Sequence, residues 1–182
     1  MKLNRRDVIR QSGLFAAAAA LGLALPARTW AALAAPVGWS KADEDLLNAI
    51  GDTILPMTPG SPGAGAVAIG RFILVMADEC LAPESTNALR QALVEMRVSP
   101  GWRDFENQSA TEREGLLLAY EQRAGMGAAG AVANRFRLIK ELTLLGYFTS
   151  EAGATQALRY DPLPGVYRGA VQLRSGDRSW AT

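Results

Sequence analysis

The chain contains no histidine, and Cys80 is its only cysteine. Those two shortages remove much of the usual chemistry of side chains. A Ser–His–Asp or Cys–His nucleophilic site cannot be assembled, nor can a His-ligated haem, a helical zinc-protease site, or a cysteine-rich zinc or iron–sulfur centre. Covalent haem attachment through Cys-x-x-Cys-His is ruled out as well. A charge excess is also lacking: 19 Lys and Arg face 18 Asp and Glu, so the basic footprint of a nucleic-acid binder is missing. Apolar residues make up 49% and charged residues 20% of the 182, the balance of a single globular domain. A lone thiol forms no internal disulfide. Cys80 ends an apolar helical stretch, where a buried, inert thiol is expected and an intermolecular disulfide is the functional alternative.

Residues 1–34 read as a leader. Lys2, Arg5, Arg6 and Arg10 make a basic start, followed by an uncharged apolar run of 13 residues, 13–25 (GLFAAAAALGLAL). That run falls short of the ~20 residues needed to cross a bilayer, which favours a signal over a transmembrane helix. A cut is expected after Ala34, with Ala32 and Ala34 as the small pair, or alternatively after Ala31. Asn4-Arg5-Arg6-Asp7-Val8-Ile9-Arg10 resembles the twin-arginine motif, and the weakly hydrophobic Ala/Gly run suits that pathway. An ordinary secretory signal with two chance arginines is the competing reading. Twin-arginine export carries folded proteins, often with cofactor bound, to the periplasm; yet this passenger has no residues obviously suited to a cofactor. Without residues 1–34, net charge falls from +1 to −3.

Residues 35–182 read as one helical domain. Ser40 with Asp43 and Glu44 forms a capping-box start, and Leu46, Leu47, Ile50 and Ile54 recur on one face until Pro56. Residues 56–65, rich in Pro and Gly, are loop. Helices are expected over about 66–81, with Phe72, Ile73, Met76 and Cys80 at helical spacing, and over about 83–98, with Leu89, Leu93 and Met96 inward. Residues 99–108 break the pattern around Trp102 and Phe105. A second capping box, Ser109 to Glu112, opens a helix to about Arg123. The strongest helix covers about 131–148, where Phe136, Ile139, Lys140, Thr143 and Tyr147 trace one line, with Leu138, Leu142 and Leu145 alongside. After a short helical turn near 150–158, prolines and glycines forbid regular structure, so 159–182 is expected to be an extended arm. The fold class is all-α: a bundle of about five helices with an irregular C-terminal arm.

Few motifs carry chemistry. Gly125-Met126-Gly127-Ala128-Ala129-Gly130 matches the dinucleotide fingerprint letter for letter, but that site needs a preceding strand, and residues 116–123 read as helix. Gly63 to Ala68 imitates it and fails for the same reason. Paired carboxylates could cleave glycosides, yet Asp43, Glu44 and Asp45 sit in a first helical turn, and Asp78, Glu79, Glu112 and Glu114 read as solvated faces. Lys140 reads as a snorkelling surface lysine. No catalytic, cofactor-binding or metal-ligating residue is nominated. The aromatic residues Tyr160, Tyr167 and Trp180 around Asp-Pro-Leu-Pro-Gly either pack on the bundle or dock on a partner.

Residues 142–151 (LTLLGYFTSE), 158–165 (LRYDPLPG) and 52–60 (DTILPMTPG), together with the twin-arginine leader, resemble the gluconate 2-dehydrogenase subunit 3 family over nearly the whole chain. The resemblance implies a complex of three chains. A glucose–methanol–choline-type flavoprotein holds FAD and oxidises a sugar or glycoside, and a multihaem cytochrome c carries electrons onward. The small subunit has no redox centre and is not an enzyme by itself. It supports maturation of the flavoprotein and supplies the signal, Arg5-Arg6, that the twin-arginine translocase reads. A hitchhiking partner would own the cofactor that this passenger lacks. The resemblance places partner contacts at Tyr147, Phe148, Glu151, Tyr160, Pro162, Pro164 and Tyr167. Members often carry cysteine where this chain has Ala170, which leaves noncovalent contacts to hold the assembly. Two other classes stay open at this level: a self-sufficient exported hydrolase, and a sugar-binding helical scaffold.

Overall fold

A computed structural model describes residues 30, 33–34, 36–125, 130–161, 165, 170–172 and 174–181. Five α-helices carry the fold: α1 (Lys41–Ile54), α2 (Ile69–Glu79), α3 (Pro83–Val98), α4 (Ala110–Gly125) and α5 (Gly130–Phe148). No strand occurs among the described residues, so the protein is an all-α bundle, as its periodicity predicts.

Local chemistry sets the boundaries. At α1, the Ser40 hydroxyl accepts from the Asp43 N–H while the Asp43 carboxylate accepts from the Ser40 N–H, a closed capping box. Ser109 and Glu112 do the same at α4. Pro83 opens α3 at a position where its missing N–H costs nothing. The second helix is shorter than its periodicity suggests. Residues Ala64–Val67 form a 3-10 turn, and Ala68 takes left-handed angles (φ 54°, ψ 51°) that no α-helix includes, so α2 starts at Ile69.

Helix α5 is central and touches each of the other four. Its inward line, Phe136, Ile139, Leu142, Thr143 and Tyr147, is buried, and the Thr143 hydroxyl is satisfied by the Ile139 carbonyl at 2.8 Å. Close approach depends on glycine at two crossings. A methyl at Gly146 would collide with Phe72 and Ile69 of α2, and one at Gly70 with the Glu44 carbonyl of α1. An aromatic chain joins the 99–108 connection to the core: Trp102 stacks on Phe105 at 4.8 Å, and Tyr120 meets Trp102 and Phe136 edge-on at 5.7 Å.

Two expectations need correction. Cys80 is exposed rather than buried. Helix α2 ends at Glu79, and in the short link to Pro83 Leu81 packs against the core while Cys80 faces solvent. Asp43 and Glu44 sit in the first turn of α1, as expected, and each also has a cationic partner. Asp43 pairs with Arg97 at 2.8 Å and Glu44 with Arg71 at 2.7 Å, each carboxylate largely covered. The arm is irregular but does not trail away as an extended tail. Arg159 pairs with the strand-like segment at Trp180, through N–H to the Ser179 carbonyl (2.8 Å) and carbonyl to the Ala181 N–H (2.9 Å).

Candidate functional site

The best candidate is a surface rather than a cleft, and it follows from the composition of α5. Residues 142–148 of α5 carry no charged side chain, although Arg135, Arg137, Lys140 and Glu141 precede them, and an apolar stretch of that kind belongs inside a protein or under a partner. Helix α5 buries one side only. Leu144, Leu145 and Phe148 stay 40%, 47% and 36% exposed, and their i,i+3 and i,i+4 spacing puts them on one stripe.

Neighbouring elements fix the end of that stripe. The Ser150 hydroxyl donates to the Tyr147 carbonyl at 2.6 Å and accepts from the Gly153 N–H at 3.1 Å, closing the helix and opening a π-turn, Gly153–Ala157. Tyr147 and Ser61 share a hydroxyl hydrogen bond, which ties this end of α5 to the loop after α1. That loop is pinched at Thr58 and Ser61, whose backbones exchange hydrogen bonds of 2.8 and 3.1 Å. Between the loop, Thr155 and Gln156 of the π-turn and Arg178 of the arm lies a shallow depression of about 410 Å³. Exposed Met57 contributes to its edge.

The sequence-nominated contact residues divide. Phe148, Glu151 and Tyr160 are exposed, Tyr160 at 57%. Tyr147 is 1% exposed and corrects the expectation: its ring packs in the core, edge-on to Phe148 at 5.2 Å. Pro162, Pro164, Tyr167, Arg5 and Arg6 lie outside the described residues. Leu144 and Leu145 were not nominated, although the run Leu142-Thr143-Leu144-Leu145, apolar on both sides of a helix, carried the signal. Arg159 and Trp180 were likewise missed as a pair; the guanidinium lies 4.0 Å over the indole ring.

Titratable groups are engaged elsewhere. Burial pushes the Tyr120 phenol up to about 12, helped by the nearby Glu95 carboxylate, which the phenol approaches at 3.4 Å. Lys140 reaches Glu121 at 2.8 Å with its stem beside Phe136, the snorkelling arrangement. Among the described residues no three acidic or cysteine side chains gather as metal ligands. The glycine-rich segment at 63–68 forms a 3-10 turn, and the one at 125–130 begins at the end of one helix and ends at the start of another, with 126–129 outside the described residues. Neither has the strand–turn–helix context of a flavin or nicotinamide cradle.

Comparison with known families decides the class, because the profile described as Gluconate 2-dehydrogenase subunit 3 matches residues 41–165, from the first residue of α1 into the arm. The chain belongs to the gluconate 2-dehydrogenase subunit 3 family. It is thus of the kind that forms one subunit of a dehydrogenase complex. The match takes in all five helices and the exposed stripe of α5. No curated protein and no solved structure matches the chain.

Proposed function

We propose that this chain is the non-catalytic small subunit of a periplasmic, FAD-dependent sugar or glycoside dehydrogenase, and that it stabilises and exports its flavoprotein partner. In this reading FAD belongs to the glucose–methanol–choline-type catalytic chain, and haem c to a multihaem cytochrome subunit. This chain supplies a folded surface and, in Arg5-Arg6, the address read by the twin-arginine translocase.

The observation that carries the reading is the exposed apolar stripe of Leu144, Leu145 and Phe148 at the C-terminal end of α5. Apolar surface of this kind marks a place where another protein sits. Phe148, Glu151 and Tyr160, with Pro162, Pro164 and Tyr167 of the arm, are the proposed contacts; Tyr147 acts from beneath by holding α5 in place. The alternative of a carboxylate-based hydrolase loses support, because Asp43 and Glu44 are committed to Arg97 and Arg71.

Co-expression with a glucose–methanol–choline-type flavoprotein as the proposed partner tests this. Leu145→Asp should abolish co-purification while the variant's melting temperature stays near wild type, and Arg5-Arg6→Lys-Lys should leave the flavoprotein in the cytoplasm. Full periplasmic sugar oxidation in both variants, or turnover by this chain alone, would overturn the reading.

A further inference from the structure

The sequence reading assigns residues 1–34 to a leader, with a cut after Ala34 or Ala31. Either cut removes Trp30, and Trp30 is part of the bundle. Its ring lies tilted on Phe72 of α2, centroids 4.8 Å apart, and it packs against the core. Its indole N–H donates to the Gly146 carbonyl of α5 at 3.2 Å.

That carbonyl needs a donor. It is one of the last four in α5, whose i+4 partners lie beyond the helix. The Ser150 N–H turns to the Tyr147 carbonyl instead, at 3.1 Å. Trp30 supplies the donor that the helix does not.

Leu33 is held as well. Its N–H donates to the Trp30 carbonyl at 3.1 Å, forming a turn, and its carbonyl accepts from Arg71 Nη1 at 2.9 Å. Arg71 is itself fixed by Glu44 at 2.7 Å. Ala34 is exposed, but a peptidase reads the residues before its cut as an extended strand, backbone to backbone. A carbonyl bonded to Arg71 and an N–H closed into a turn are not available for that pairing. Susceptibility of a segment follows the burial and hydrogen bonding of its backbone rather than its place in the sequence.

We propose that the exported chain keeps Trp30, any leader-peptidase cut falling N-terminal to it, so that Trp30 and Leu33 form the first anchored segment of the mature domain. The proposal rests on the export reading above for the order of events, since a passenger folded before export meets the peptidase with Trp30 already seated.

Purified full-length chain incubated with leader peptidase in detergent, followed by intact mass, gives the test. Wild type should remain uncut or yield a product that retains Trp30. Trp30→Ala should yield the product beginning at Ala35 on the order of tenfold faster, because cleavage follows the population of the open segment. Trp30→Phe keeps a smaller aromatic ring against Phe72 and loses the N–H donor, and should fall between the two. A wild-type product beginning at Ala32 or Ala35, formed as fast as from Trp30→Ala, would overturn the proposal. Fractionation reads export separately: wild-type chain confined to the cytoplasm defeats the export reading, while the peptidase products still decide where the domain begins.

Discussion

Tyr147 and Ser61, 86 residues apart in sequence, share a hydroxyl-to-hydroxyl hydrogen bond beneath the exposed end of α5. The phenol is at the core, and the serine belongs to the pinched loop after α1. One bond thus couples the loop lining the shallow depression to the helix bearing the apolar stripe.

Tyr147→Phe removes that bond and leaves the ring. A typical net loss of about 1 kcal/mol corresponds to a melting temperature lower by about 2–4 °C for a chain of this size. Co-purification with the flavoprotein should persist, because the ring is not on the surface. Thermal unfolding and pull-down on the same preparation check both halves; loss of the complex without a drop in melting temperature would put Tyr147 at the interface after all.

Gly146→Ala forces a methyl into Phe72 and Ile69. Overpacking of this kind costs about 1–3 kcal/mol. The variant should unfold at lower urea concentration than wild type, and a Phe72→Leu change on the same chain should recover part of the loss by making room. An unchanged midpoint in Gly146→Ala would mean that α2 and α5 can separate freely.

Alkaline stability should report on Tyr120. Its folded-state value is raised from 10.0 to about 12, so the unfolded chain releases the phenolic proton first. The stabilisation is therefore fully present below pH 10 and is lost as pH rises from about 10 to about 12. Urea midpoints measured across that window should decline for wild type and decline less for Tyr120→Phe. Parallel curves would assign the alkaline loss to other groups.

Removal of residues 159–182 should weaken co-purification with the flavoprotein while α1 to α5 keep their helical circular dichroism, since the described arm contributes no helix beyond the π-turn. A complex of wild-type yield would restrict docking to α5.

Much of the bundle was legible because its boundaries are local. Ser40 with Asp43, Ser109 with Glu112, and Pro83 each announce a helix start within four residues. What stayed hidden depends on partners far along the chain. The pairing of Glu44 was invisible because Arg71 is 27 residues away, and Trp30 looked like leader because its acceptor is 116 residues on. Tyr147 carried two opposed signals. Its spacing from Phe136, Ile139 and Thr143 put it on the inward line, whereas the resemblance made it a contact, and burial follows the spacing. Leu144 and Leu145 were obscured by the same rule, since an apolar residue on the outer side of a helix reads as core until the neighbours are placed.

The pairing of Arg159 with the segment at Trp180 ties down the C-terminal end of the chain. A free end of chain must surrender its wandering when it settles on another surface; an end already tied down has given up part of that freedom inside its own chain. What the structure shows is the junction itself, Arg159 held to Ser179, Trp180 and Ala181. Trp180→Ala removes the ring beneath the Arg159 guanidinium and should release that end, weakening co-purification with the flavoprotein in a pull-down.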